Sequence, residues 1–336
     1  MSHSDLYITR SIIAPECLIN PLEEHYPLSV SEINLLSIGD NDHYLVKANN
    51  THYVLRIYRH NKHWLPTKEY HAFEFSLINF LHNHAIPVSH PIPRKDGTYI
   101  NTLYAPEGAR YWTLFTHVKG KEMPFTIENC YQYGQIISRM HNLTNLFSSS
   151  ECSNNIDISF LLHIPFERIQ KHAHNISSVN MKYLNHLIPE LDEHIDQFHN
   201  QRFTHEWGVI GGDFHGGNHL IDSRGNINLF DFDLSGYGWR TYDIAVFKWA
   251  LYDICRRAPR VRNRYRLWNA FLKGYQQHRP LNSQQLTIIP TFIKARQIWL
   301  MGSETTYPDK ILDTTYWRKM FEGLKSVDNS PKIKGI

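Results

Sequence analysis

Between Ile33 and Tyr58, apolar and polar residues alternate in three short runs, Ile33–Ile38, His43–Ala48 and His52–Tyr58. The runs are separated by Gly39-Asp40-Asn41-Asp42 and by Asn49-Asn50. Alternation at a period of two, interrupted by turn-forming residues, predicts an antiparallel meander. A short helix over Pro15–Tyr26 precedes it, with Pro15 suited to an early helical position. A helix over Thr67–Asn83 follows, since Phe73, Leu77, Phe80 and Leu81 recur at helical spacing. Pro87, Pro91 and Pro93 force an extended passage, and strands near Tyr99–Leu103 and Tyr111–Val118 complete a sheet-rich first half.

Beyond a connector at Phe115-Thr116-His117-Val118-Lys119-Gly120 the period changes to that of helices. Cys130–His141, Phe166–His174, Met181–Asn200, Tyr242–Arg256, Arg264–His278, Gln284–Gly302 and Tyr316–Val327 all show apolar residues at helical spacing. A sheet lobe ahead of a helical lobe is an α+β arrangement, expected to leave a ligand-binding cleft between the two. The expected boundaries are an N-terminal extension over 1–21, an N-lobe over 22–115, a connector over 116–121, a C-lobe over 122–330 and a tail over 331–336.

Length and composition agree with this division. At 336 residues the chain is too long for one small core. With 42% hydrophobic and 20% charged residues it falls in the ordinary globular range. A net charge of +3 is too mild to call for a nucleic-acid or membrane partner. The N-terminus lacks the apolar core of a signal peptide and no run reaches a membrane span, so a soluble cytoplasmic protein is expected. Cys17, Cys130, Cys152 and Cys255 form no C-x-x-C pair and read as reduced thiols. Among the 22 histidines, the pairs His82/His84 and His172/His174 lack matching partners at zinc spacing and read as surface or packing residues.

Candidate chemistry is concentrated in Val209–Ala245. The segment holds Gly211-Gly212-Asp213-Phe214-His215-Gly216-Gly217-Asn218, the strand-like Ile227–Phe230, then Asp231-Phe232-Asp233 and Gly236–Asp243. Phosphoryl transfer needs a positioned hydroxyl, an acceptor for its proton and hard oxygen ligands for magnesium. Asp213 at a loop tip can orient the hydroxyl, Asn218 can offer an amide oxygen to metal, and Asp231 can supply a carboxylate. The glycines permit the tight turns between them.

With that spacing, Asp213-x-x-x-x-Asn218 followed by Asp231 resembles the catalytic and metal-binding pattern of the aminoglycoside phosphotransferase and choline kinase-like family. The resemblance runs along nearly the whole chain. Asn41-x-x-Tyr44-x-Val46 is similar to the family's nucleotide-loop strands, and Val54-Leu55-Arg56-Ile57-Tyr58 to the strand carrying its phosphate-binding cation. Glu74 falls where the helix glutamate lies, and Gly134-x-x-Ile137-x-x-Met140-His141 is similar to its G-x-x-L-x-x-L-H helix. Gly236-Tyr237-Gly238-Trp239-Arg240-Thr241-Tyr242-Asp243 is most similar to the branch of bacterial stress-response Ser/Thr kinases and type II homoserine kinases.

This resemblance implies a protein-kinase-like two-lobed fold with ATP and Mg2+ as cofactors. It makes Asp213 the catalytic base and gives magnesium to Asn218 and Asp231. Arg56 would contact the α- and β-phosphates, held by Glu74, with Asn41 in the nucleotide loop. The connector, through Phe115, Thr116 and Val118, would meet adenine. The expected reaction moves the γ-phosphate to a hydroxyl of a small molecule: an amino alcohol, amino acid, sugar or antibiotic. A protein Ser/Thr acceptor and a nucleotide-binding pseudoenzyme are the alternatives.

Three features depart from the pattern. Gly211 replaces the usual His before Gly-Asp, which predicts altered loop packing with activity kept. Arg56 replaces lysine, but its fork binds phosphate oxygens equally well. Gly39 is the only glycine of the nucleotide loop. Other residues stay open between roles: Asp233 as second metal ligand or turn cap, His215 as loop brace or substrate contact. Asp243 reads as an anchor of the catalytic loop, and Trp239 and Tyr242 as core aromatics. The basic run Arg256–Arg266 reads as a solvated face that mildly disfavours polycationic acceptors. Arg296, on the helix over 290–302, is a candidate to hold a carboxylate.

Overall fold

The computed structural model describes residues 8–201, 205–257 and 264–327. Part of the expected N-terminal extension, the expected C-terminal tail and residues 258–263 of the basic run lie outside the described residues. A 3₁₀ turn at Pro15–Leu18 opens helix α1 (Ile19–His25), followed by strands β1 (Val30–Ile38), β2 (Asn41–Ala48) and β3 (Thr51–Tyr58). Helix α2 (Lys68–Asn83) and strands β4 (Asn101–Ala105), β5 (Gly108–Thr116) and β6 (Lys121–Glu122) come next. Then follow α3 (Ile127–Leu143), β7 (Asn154–Ile156), α4 (Ile164–Gln170), α5 (Ser178–Asn200), β8 (Trp207–Ile210), β9 (His219–Ile221), β10 (Ile227–Leu229) and β11 (Gly236–Trp239). The chain closes with α6 (Arg240–Arg257), α7 (Arg264–Tyr275), α8 (Ser283–Glu304) and α9 (Thr314–Ser326).

Two compact units result. The first comprises Met1–Lys121, Ser148–Cys152 and Leu220–Asp233, and the second Glu122–Phe147, Ser153–His219 and Leu234–Ile336. The segment Leu220–Asp233, which a single boundary near residue 122 assigns to the helical half, therefore joins the sheet-rich unit.

In the first unit five antiparallel strands run in the order β1-β2-β3-β5-β4. The β2–β3 turn is Asn49-Asn50 with φ of 48° and 60°. Two left-handed residues match the twist of a tight hairpin, and asparagine tolerates that conformation better than most side chains. The period of two places Tyr44, Val46 and Ala48 of β2 on one face, where they meet Leu55, Ile57, Trp112 and Leu114, with Leu22 and Tyr26 from around α1. The β9–β10 hairpin is tied to this unit by backbone hydrogen bonds: Leu229 N to Pro87 O (2.8 Å) and Ser89 N to Leu229 O (2.9 Å). Asp231 and Asp233 follow directly after that anchor.

The second unit is mostly helical, with a small sheet of order β7-β11-β8. Helices α3 and α7 approach closely because each contributes a glycine: a Cβ on Gly134 would stand 2.1 Å from Phe271 O, and one on Gly274 1.9 Å from Tyr131 O. Helix α8 begins with a capping box between Asn282 and Gln285 and is buried along much of its length, including Phe292, Ile293, Arg296 and Ile298. A helix buried on several faces belongs inside its unit, and this one brings the Arg296 guanidinium into the interior.

Candidate active site

In the first unit a charge network surrounds β3. Arg56 lies opposite His43 of β2 and Thr113 of β5, in the middle of the sheet. Its Nη1 reaches Glu74 Oε1 at 2.9 Å and Asp231 Oδ1 at 3.5 Å, and its Cζ lies 4.7 Å from the Phe115 ring centroid. Burial works against the guanidinium charge, but Asp231, Tyr58 and Glu74 hold it firmly protonated. Burial also pushes Glu74 up to about 7; Arg56 pulls the other way, and Asp233 and Asp231 add to the rise. The Tyr58 hydroxyl donates to the second Glu74 oxygen at 2.9 Å.

Asp233 pairs with Lys62, accepts from Asn41 Nδ2 at 2.8 Å and from Trp64 Nε1 at 3.3 Å. It is thus neither a turn cap nor an open metal ligand. Asn41 is held in the same network: its Oδ1 accepts from Lys62 Nζ at 2.9 Å, so its side chain serves Asp233 and Lys62.

Two cations, Arg56 and Lys62, face three carboxylates in this network. Side-chain exposure is 1% for Glu74, 9% for Asp233 and 28% for Asp231. Asp231 is the most exposed of the three and sits at φ 64°, a left-handed position that aspartate tolerates. A partly exposed carboxylate offers hard oxygen of the kind a divalent cation takes.

In the second unit the loop after β8 is fixed by Asp243, buried at the start of α6. Its two oxygens accept from Gly211 N (2.9 Å) and Gly212 N (2.8 Å). His141 Nε2 lies 3.0 Å from the same carboxylate, and His141 Nδ1 is 2.8 Å from the Tyr275 hydroxyl. Burial holds His141 well below its ordinary pKa, so the neutral ring donates from Nε2 and accepts from Tyr275. Burial pushes Asp243 up to about 7 against the pull of the two backbone N–H groups. The Phe214 ring fills the space beside Gly211: a Cβ there would lie 2.2 Å from Phe214 Cζ, and Gly212 next to it adopts φ 77°.

Asp213 follows. Asn218 Nδ2 donates to Asp213 O at 2.9 Å and lies 3.4 Å from Asp213 Oδ2, which leaves the Asn218 amide oxygen as the donor a metal could take. His215 does two things: its Nδ1 accepts from Gly217 N at 3.0 Å, and its Nε2 lies 3.5 Å from Asp213 Oδ2. Arg296 Nη2 reaches Asp213 Oδ1 at 2.5 Å. Burial pushes the Asp213 carboxyl up, but Arg296, with His215 and Asn218, outweighs it and holds the group well below the usual carboxylate range. The carboxylate that Arg296 binds is thus one of the chain's own.

The connector differs from expectation in one respect. Phe115 and Thr116 are still part of β5, and both backbone polar groups of Thr116 are occupied: its N donates to His90 O (2.9 Å) and its O accepts from Ser89 Oγ (2.7 Å). The Thr116 N–H is thus already taken, whereas Val118 lies beyond the strand. Thr116–Lys119 border an open cavity of about 520 Å³ with His82, Asp222 and Arg224. None of the charge network around Arg56 lines it.

Three participants were missed in the sequence. Lys62 stands in the irregular stretch after β3, where no periodicity marks it. Tyr275 looks like one more core aromatic on α7. The pairing of Arg296 with Asp213 joins residues 83 positions apart and leaves no local trace. Among the described residues no group of three or more His, Cys, Asp or Glu is arranged to hold a metal, and none of their helices is long and apolar enough to cross a membrane.

The profile of the phosphotransferase enzyme family matches residues 33–281. The chain belongs to that family. It is a kinase, a phosphotransferase with an alcohol group as acceptor. It is 29% identical over 320 residues to an uncharacterized protein of Deinococcus radiodurans, covering 93% of this chain and 88% of that one. Over 120 residues it is 32% identical to the homoserine kinase of Paraburkholderia phytofirmans, covering 35% of this chain and 34% of that one. Its fold is similar to that of a microcompartment-associated aminopropanol kinase, with a TM-score of 0.77 at 19% identity over 92% of this chain and 95% of that one. An amicoumacin kinase in complex with AMP-PNP and Ca2+ has a TM-score of 0.73 at 20% identity, over 95% and 94%.

Proposed function

We propose that this kinase uses ATP and magnesium and transfers the γ-phosphate to a hydroxyl of a small molecule, an amino alcohol, amino acid, sugar or antibiotic, with Asp213 as the catalytic base. The observation that carries this reading is the held geometry of the loop: the Asp243 carboxylate fixes Gly211 and Gly212, and the next residue is an ionised Asp213. A preset carboxylate is what an in-line transfer needs, because its catalysis consists largely of positioning and charge stabilisation. The family match and the AMP-PNP bound to the structurally similar amicoumacin kinase support ATP as donor.

Each residue then has a definite task. Asp213 accepts a hydrogen bond from the acceptor hydroxyl and takes its proton late, as the new P–O bond forms. Its low basicity suits a loose transition state, in which the nucleophile is little deprotonated until bond formation. Arg56 binds phosphate oxygens, and Glu74 holds it in place from α2. Asn218 and Asp231 would supply oxygen ligands to magnesium, which when bound neutralises charge on the phosphates.

An ATP-consumption screen across amino alcohols, hydroxyl amino acids, sugars and antibiotics tests the reading, run with and without magnesium on the wild type and on Asp231→Ala. Acceptor-dependent, magnesium-dependent turnover is expected in the wild type and its loss in the variant. Magnesium-independent turnover, or unchanged magnesium dependence in Asp231→Ala, would overturn the metal assignment.

A further inference from the structure

Resting on that reading, we infer that Arg296 sets the charge of the acceptor: the site takes a molecule with a carboxylate near its reacting hydroxyl, a hydroxy acid or hydroxyl amino acid, and discriminates against a plain amino alcohol.

The reacting hydroxyl must come within about 3 Å of the Asp213 carboxylate. Oδ1 is already bound by Arg296 Nη2, so the hydroxyl is left with Oδ2, the oxygen beside His215 and Asn218. A substituent one or two carbons from that hydroxyl then lies roughly 4–7 Å from the guanidinium, given ordinary bond lengths.

Arg296 is buried between two indoles, its Cζ 4.5 Å from the Trp299 ring centroid and 5.2 Å from that of Trp249. Aromatic faces beside a carboxylate form a slot for a cation. In this chain the slot is filled from within, by a guanidinium that cannot lose its proton. The Asp213 charge that would otherwise attract an ammonium group is neutralised by the same contact. The other carboxylate close by, Asp243, is spent on Gly211, Gly212 and His141. An ammonium group brought here meets the like charge of Arg296, with Asp213 already paired to it. A carboxylate meets the positive end of the Asp213–Arg296 pair.

Three three-carbon acceptors of matched reach test this with the kinase: 3-hydroxypropionate, serine and 3-aminopropan-1-ol. The readout is kcat/KM for each, in the wild type, Arg296→Gln and Arg296→Lys, with Mg–ATP affinity measured by calorimetry on the same samples. In the wild type the two carboxylated acceptors should exceed the amine by roughly ten- to hundredfold, the scale of a like-charge contact across a partly shielded site. Arg296→Gln should shrink that ratio toward one, while Arg296→Lys keeps most of it. A wild type that prefers the amine overturns the inference, as does an Arg296→Gln variant that slows all three in equal proportion. No turnover of any of the three with Mg–ATP affinity intact also overturns it and leaves the kinase reading standing. Absence of Mg–ATP binding in the wild type removes both.

Discussion

Around Arg56, three carboxylates share two cations, and the acid with the most open space is Asp231. Around Asp213 the order is reversed: a single carboxylate is held by one cation, and its supporting acid, Asp243, is turned to the backbone. The first cluster suits an incoming phosphate and metal, because it keeps Arg56 charged and has in Asp231 a partly exposed carboxylate. The second suits an incoming hydroxyl, because it keeps the base ionised and in place. On the proposed reading the electrostatic work would be divided: one unit would manage the charge of the nucleotide, the other the state of one carboxylate. Variants in the two clusters should therefore fail in different parameters.

The largest effect is expected at the base. Asp213→Asn keeps the shape and removes the charge, and turnover should fall by roughly 10²–10⁴-fold, about 3–5 kcal/mol of barrier. ATP affinity should change little. Loss of ATP binding in this variant would break the division between the clusters, because it would make Asp213 part of the nucleotide site.

A smaller effect is expected at the cation. Arg56→Met should raise the KM for ATP by roughly 10- to 100-fold, the worth of a charge-assisted hydrogen bond to phosphate, with the acceptor KM nearly unchanged. If kcat falls while the KM for ATP stays constant, Arg56 is not a ground-state phosphate contact.

The smallest effect at neutral pH, and the one that sharpens the comparison most, is a change in pH profile. In the wild type the Arg296 charge holds Asp213 ionised far into the acid range, so Asp213 should add no acid limb to kcat/KM between pH 8 and pH 5. Arg296→Gln removes that charge, and burial is then free to raise the Asp213 pKa. The base must be unprotonated to act, so the variant's rate should fall as pH drops through the raised value. Superimposable wild-type and variant profiles would show that Arg296 does not tune the base.

Much of this could be read along the chain. The meander over β1–β3 was legible because two-residue alternation and Asn-rich turns are local signals. The spacing of Asp213, Asn218 and Asp231 stands out in the sequence because it is carried on one short segment. The strands β7 and β11 were not legible: three and four residues long, with two glycines in Gly236–Trp239, they have too little period and too weak a strand propensity to stand out. The strand expected over Tyr111–Val118 is β5, which starts three residues earlier and ends at Thr116. The partners of the buried charges were illegible for a deeper reason. Lys62 and Asp233, or Arg296 and Asp213, meet only once distant parts of the chain fold, and no local composition encodes which acid meets which base.

The glycine contact between α3 and α7 has a consequence for the order in which the chain becomes functional during synthesis. The loop before Asp213 is anchored by Asp243, which is met by His141 of α3, which is met in turn by Tyr275 of α7. Gly134 and Gly274 set how closely those two helices lie. The ribosome delivers His141 first, the loop some seventy residues later, then Asp243, and Tyr275 last. The sheet of the first unit is delivered early, yet Lys62 waits 171 residues for Asp233. Until then its two central cations lack acids from the β9–β10 segment. Catalytic geometry is thus among the last properties the nascent chain acquires, and a truncated product ending before α7 would carry every motif residue from Asn41 to Asp243 without the contact that seats His141.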